Sequence, residues 1–322
     1  MLNKDMQRAH KISNITQTAI MLVGIGALLV LSTGLLWGWY GIQLAVAIVI
    51  ILFVFSTRVP ASIIMLMYKG QLASKVGAKE LAYITAKLAE RAGLEKVPAV
   101  YIIPSLSLNA FAAGCKADAA IGITVGLMRK LSTRQMAGVL AHEVSHIKNN
   151  DLLVMSFADL MSRLTQMLSY IAVILVFLNV TALLMNGEAA YSWLGILILY
   201  LAPVMTNLMQ LSLSRTREYD ADLEAVRLTG DAQSLIRALT KVERYTGHFW
   251  EDIMLPVPAR KVPQPSLLRS HPKTEDRIAR LQQLEEQRVP TMIVRDEPLM
   301  ITMVGLGPIS MRPRYRFPGI WY

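Results

Sequence analysis

Ala141-His142-Glu143-Val144-Ser145-His146 is the stretch on which the fold turns, because it reads H-E-x-x-H within a segment patterned as a helix. Two histidines at i and i+4 project from one helical face, about 6 Å apart along the axis. Both imidazoles can therefore reach a single metal ion, and Glu143, next to the first of them, can face a water held there. The plainer alternative is two polar residues of a buried helix, satisfied by backbone groups and carboxylates. With only five histidines in 322 residues, a chance match to the motif is rare.

The start of this helix is marked independently. Ser132-Thr133-Arg134-Gln135 has capping-box spacing, a serine N-cap with glutamine three residues on. The helix should run to about Asn149-Asn150-Asp151, with a further helix through Arg163. Upstream, 99–103 (AVYII), 109–116 (NAFAAGCK) and 119–125 (AAIGITV) read as short strands parted by Pro104, Gly114 and Asp118. Before them, 61–93 has amphipathic helical patterning, with Leu81, Ile84, Leu88 and Ala92 recurring at helical spacing and Gly93 as a stop.

Composition places this soluble part on a membrane protein. The hydrophobic fraction is 53%, the charged fraction 17% and the mean hydropathy +0.40, too apolar for an ordinary soluble domain. Residues 12–57 hold no charged side chain, enough for two helices of about 20 residues. The turn between them falls at 34–41 (GLLWGWYG), whose Trp37, Trp39 and Tyr40 suit a membrane–water interface. A signal peptide is the competing reading. The apolar core is too long for one, no A-x-A-like site follows, and a second span comes at once. Residues 164–214 carry one charge, Glu188, in the turn-like Asn186-Gly187-Glu188, and two more spans fit there. The other reading of 164–214 packs part of it on the soluble domain.

Charge sets the expected orientation. Lys and Arg precede the first span, separate the second from the third and follow the fourth, and neither intervening turn has any. A multi-pass protein of the cell inner (plasma) membrane is expected, with both termini and the metal motif cytoplasmic. The net charge of +10 is explained by these loops and not by nucleic acid, since no helix-turn-helix, RNA-recognition or finger signature accompanies it. Cys115 is the only cysteine, which excludes an intrachain disulfide, and no Walker-type phosphate loop appears.

A zinc peptidase site needs a third protein ligand, and 217–222 (REYDAD) follows the last apolar run. Glu218 and Asp222 stand at i and i+4, so one can bind metal while the other orients an imidazole. Glu218 would complete a His₂Glu site with its fourth position open. Taken alone, Glu218 reads as well as a solvated carboxylate paired with Arg215 or Arg217.

Several of these segments together resemble the HtpX-type membrane zinc metalloproteases, relatives of the Ste24 and Oma1 peptidases. The resemblance covers roughly residues 15–285. It rests on 107–112 (SLNAFA), on 141–146 with Asn150-Asp151, on 217–222, and on Ser270-His271-Pro272 followed by Arg277-Ile278. It implies an α+β gluzincin-like zinc peptidase domain combined with an α-helical membrane region of about four transmembrane helices. It also implies one zinc ion per chain, bound by His142, His146 and Glu218, with Glu143 as general base and Asp222 as the carboxylate behind a ligand. His271 matches a family position near the active site, as an oxyanion donor or as a cap on the zinc in a closed state. An ordinary Ser-His-Pro turn at the start of the last charged helix is the plain reading of it. The implied substrates are misfolded or damaged membrane proteins. The alternative is a non-catalytic zinc-containing membrane adaptor.

The strands before the metal helix suggest substrate pairing, with 119–125 as the edge and Asn109 offering its amide to substrate backbone. An interior strand and a turn asparagine are the plain readings. The expected divisions are 1–60, an N-terminal transmembrane hairpin; 61–163, the first catalytic part; 164–214, a second hydrophobic pair; 215–288, the second catalytic part; and 289–322, a C-terminal extension. Within that extension TMIVR and LMITMV suggest a hairpin about Asp296-Glu297-Pro298, and the basic, aromatic end (Arg312, Arg314, Arg316, Phe317, Trp321) suits contact with membrane lipids.

Overall fold

The computed structural model describes residues 4–56, 60–251 and 274–285, together with 292, 294, 296, 297, 299, 315, 316, 320 and 321. It divides into two compact units, Met1–Arg58 with Leu153–Thr216, and Val59–Leu152 with Arg217–Tyr322.

The first unit is helical. Its first helix, α1 (Lys4–Ser56), is broken at Gly38, where φ is 60° and ψ −142°. Only glycine adopts that backbone cheaply, and the chain reverses there. A Cβ on Gly41 would lie 2.2 Å from the Thr33 carbonyl oxygen, and one on Gly34 3.1 Å from Ile42. The turn expected at 34–41 thus lies where glycines let the two arms touch. Val23–Ile51, Asp151–Asn186 and Trp193–Thr229 are each long and apolar enough to cross a membrane. The latter two segments are helices that continue across the unit boundaries, labelled below in chain order. Both leave large apolar side chains exposed, among them Phe177 at 72% and Leu184 at 82%, as lipid-facing surfaces do.

One polar contact closes the loop between these two helices. Asn179, fully buried, accepts from the Tyr191 N–H at 2.8 Å and donates to the Tyr191 carbonyl at 2.8 Å. Asn179→Leu leaves two backbone groups unpaired at a cost of about 1–3 kcal/mol. We expect a lowered melting temperature in detergent; an unchanged one would show that the loop re-pairs without loss.

The second unit is α+β. Short helix α2 (Ala61–Met67) leads to β1 (Gln71–Leu72) and α3 (Lys79–Ala92), then to β2 (Ala99–Ile103), β3 (Ala110–Cys115) and β4 (Asp118–Thr124). Helix α4 (Val125–Lys130) and the metal-motif helix α5 (Thr133–Lys148) follow. The two apolar helices are α6 (Asp151–Asn186) and α7 (Trp193–Thr229); after them come α8 (Ala232–Glu251) and α9 (Thr274–Glu285). A two-residue antiparallel pair, Tyr315–Arg316 with Ile320–Trp321, ends the described chain. The amphipathic stretch expected over 61–93 is not one helix. Lys69 takes a left-handed φ of 56°, the next residue is Gly70, and the chain leaves the helix to pair β1 with β2.

The sheet order is β1-β2-β4-β3, with β2 and β4 parallel and β3 antiparallel to β4. Strand 119–125 is therefore interior, and the expectation that it forms the edge is wrong. β3 closes that end of the sheet. The burial of 120–124 on both faces is the mark of an interior strand.

Helix α5 is buried almost all round, 13 of its 16 residues being buried, which makes it the central helix of the unit and not a surface one. Small residues permit this. A Cβ on Gly138 would stand 3.2 Å from the Leu235 backbone nitrogen of α8. The capping box forms as expected, Gln135 N–H donating to Ser132 Oγ and Ser132 N–H to Gln135 Oε1 at 3.2 Å.

Candidate active site

Helix periodicity brings His142 and His146 onto one face of α5, their rings edge to face at a centroid distance of 4.7 Å. Helix α7 brings Glu218 and, one turn later, Asp222. His142 Nε2 lies 3.2 Å from His146 Nε2 and 3.3 Å from Glu218 Oε2, and His146 Nε2 lies 3.5 Å from Glu218 Oε1. Two imidazole nitrogens and the two oxygens of one carboxylate thus close a three-residue triangle, one ligand atom from each residue lying within 4.8 Å of the others. Tetrahedral coordination with bonds of 2.0–2.1 Å needs donors about 3.3–3.4 Å apart. The nitrogen and oxygen donors and their spacing fit a zinc-like ion.

The far side of each imidazole is fixed by a carboxylate. His142 Nδ1 is 3.0 Å from Asp222 Oδ1, and His146 Nδ1 is 2.8 Å from Asp151 Oδ2. With the Nδ1 protons directed there, both Nε2 atoms are left to face each other and Glu218, an arrangement that a bound cation would satisfy. Burial opposes charge on either ring, yet Asp222 and Glu218 raise His142 above the usual imidazole range, and Asp151 and Glu218 raise His146 well above it.

Each carboxylate is held in turn by a buried arginine. Arg277 of α9 grips Asp222 bidentately, Nε to Oδ2 at 2.7 Å and Nη2 to Oδ1 at 2.6 Å, with Nη1 3.7 Å from Glu218 Oε2. Arg217 pairs through Nη1 with Asp151 Oδ1. Two parallel chains result, Arg277–Asp222–His142 and Arg217–Asp151–His146. Four buried carboxylates, those of Glu143, Asp151, Glu218 and Asp222, and two guanidiniums thus surround the imidazoles, an acidic donor set suited to a divalent cation.

Glu143 projects from the next position on α5, 5% exposed, and accepts from the Ala112 N–H of β3 at 2.9 Å. Burial pushes its carboxyl above the usual range, against the pull of the two histidines and of that N–H. A buried carboxylate of raised basicity, next in sequence to His142 and electrostatically coupled to both histidines, suits proton transfer. Asn109 immediately precedes β3, and its backbone is tied to Thr124, N–H to Oγ1 at 3.0 Å and carbonyl from the Thr124 N–H at 3.0 Å.

His142, Glu143, His146, Glu218 and Asp222 therefore converge, and Asn109 lies at the start of the strand that holds Glu143. His271 lies outside the described residues, as do the prolines of the irregular loop expected over 247–266. Residues 247–251 of that loop are helical instead, as the end of α8. Arg277, Asp151 and Arg217 went unassigned in the sequence. Asp151 follows the second histidine by five residues, off the helical face, and reaches the site because Asn150 takes a left-handed φ of 59° between α5 and α6.

Comparison with known proteins agrees with this chemistry. Residues 76–285 match the model of peptidase family M48. The protease HtpX homolog of Paraburkholderia phytofirmans is 32% identical over 282 residues, covering 84% of this chain and 97% of that protein. The protease HtpX homolog of Methylibium petroleiphilum is 31% identical over 287 residues, covering 86% and 99%. Among solved structures, the crystal structure of S. mikatae Ste24p is similar with a TM-score of 0.47 at 20% identity, covering 85% of this chain and 66% of that one. The chain belongs to peptidase family M48, as a membrane metallopeptidase of the HtpX type.

Proposed function

We propose that the chain is a zinc-dependent endopeptidase of the cell inner membrane, cleaving misfolded or damaged membrane proteins on the cytoplasmic side. The triangle of His142, His146 and Glu218, with Glu143 beside it, is the observation that carries this reading. Zinc is the metal because the set holds two imidazoles and one carboxylate, leaving a fourth position for chemistry. When bound, the ion supplies Lewis acidity that acidifies water and polarises the scissile carbonyl.

The chain's own residues do the remainder. Glu143 takes the proton of the attacking water and returns it to the leaving amine, and burial suits it to both transfers. Asp222 and Asp151 hold the imidazoles with their Nε2 lone pairs inward, and the two arginines keep those carboxylates in place. The outer edge of β3, with Asn109 at its start, is the surface on which an extended substrate backbone pairs. Main-chain pairing tolerates many sequences, which suits substrates that share unfoldedness more than sequence. The loop charges support cytoplasmic termini and a cytoplasmic site, and the apolar stretches support four spans arranged as two pairs.

Glu218→Ala tests the ligand set directly. Zinc content of the purified protein should fall from one per chain to near zero, and chelator treatment of the parent should abolish cleavage of an unfolded membrane substrate. Unchanged zinc stoichiometry in the variant would remove Glu218 from the set.

A further inference from the structure

The peptidase family match ends at residue 285, yet residues beyond it reach back to both helices that carry the triangle. Helix α5 begins with the usual excess of backbone N–H groups, and α7 ends with the usual excess of carbonyls. The Thr133 N–H, at the first turn of α5, donates to the Glu297 carbonyl at 2.9 Å. Ser132 Oγ, the N-cap of the same helix, donates to Asp296 Oδ1, placing a carboxylate at the positive end of the helix dipole. The Met292 N–H donates to the Thr229 carbonyl at the last residue of α7 at 2.6 Å. Met292, Val294 and Leu299 also pack on the apolar core that α5 and α7 share.

We infer that Met292, Val294, Asp296, Glu297 and Leu299 act as a positioning strap that ties the N-terminus of α5 to the C-terminus of α7 and so fixes the separation of the two ligand-bearing helices. From its anchors to His142 and to Glu218 the distances along the helices are about 14 Å and 17 Å, so the strap acts as a brace at the far ends. Two helices that approach from different parts of the chain can slide or tilt while each keeps its own hydrogen bonds. Donor contacts of 3.2–3.5 Å among three side chains tolerate little of that motion. The capping box already satisfies part of the α5 N-terminus from within. What the strap adds is the connection to α7.

The inference rests on the metal reading above, and its test separates the two. The full chain is compared with a chain ending at Arg288 and with Val294→Asp, which places a charge at an apolar anchor. Lys87→Gly, on the exposed face of α3, serves as a control chosen for lowered melting temperature. Zinc release to a chelator and amide exchange at Thr133 and Met292's acceptor helix end, 225–229, are measured in all. Release about tenfold faster, at the low end for groups that support metal ligands, with faster exchange at both helix ends in the two strap variants but not in the control, is the expected result. Unchanged release with unchanged exchange overturns the strap. Acceleration equal to the control's also overturns it, because general destabilisation then explains the effect. If the parent and His142→Ala hold no zinc alike, the metal reading fails, and amide exchange alone still decides whether the tail braces the two helices.

Discussion

Glu143→Gln is expected to lower cleavage of an unfolded membrane substrate by about 10²–10⁴-fold, the usual range for losing a general acid–base group, while zinc content and melting temperature stay at parental values. The substitution keeps the shape of the side chain and an oxygen able to accept the Ala112 N–H that Glu143 now accepts at 2.9 Å. What it removes is the capacity to take a proton. Glu143 is not among the donors of the triangle, so the metal should remain. Fragment formation followed by gel and zinc by elemental analysis would read the two properties separately. Activity near the parent's would sink the general-base role. Loss of activity in step with loss of zinc would instead place Glu143 in the metal's support.

The meeting of these side chains was readable in part from the sequence, and the reason is physical. H-E-x-x-H is local, so helix geometry alone brings its residues together, and the capping box that starts α5 is local as well. Glu218 and Asp222 were legible because they too lie one turn apart. The arginines were not. Arg217 looked like a partner for its neighbour Glu218, but it pairs with Asp151, 66 residues earlier. Arg277 finds Asp222 across 55 residues. Pairings over such separations depend on how helices pack, which periodicity does not encode. Strand order failed for the same reason: the limits of the three strands were close to those observed, but which of them lies at the edge is a tertiary fact. The signal available was the burial of 120–124, whose unbroken apolar and small residues suit a strand covered on both faces.

Arg277→Met should be the most destabilising single change at the site, by about 3–5 kcal/mol, because removing one member of a buried ion pair leaves the other charge without compensation. Arg277 is 2% exposed, and its loss strands Asp222 at 3% and withdraws a positive charge from Glu218, also at 3%. Lysine would not replace it, since a point charge cannot make the two parallel bonds that the guanidinium makes. Pairing Arg277→Met with Asp222→Asn removes both charges and should recover most of the lost stability, as neutral replacements of buried pairs commonly do. Zinc affinity should not recover with it. An amide holds the Nδ1 proton of His142 less strongly than a carboxylate does and lends the ring less basicity, so affinity should stay about 10–100-fold down. Unfolding in detergent and zinc titration of the parent, the single variants and the double variant would test this. If affinity returns together with stability, Arg277 and Asp222 only hold α9 against α7. If stability returns and affinity does not, the pair positions the imidazole. A single variant within about 1 kcal/mol of the parent, as typical surface changes are, would show that the pair is neither buried nor coupled to the site in the way the geometry requires.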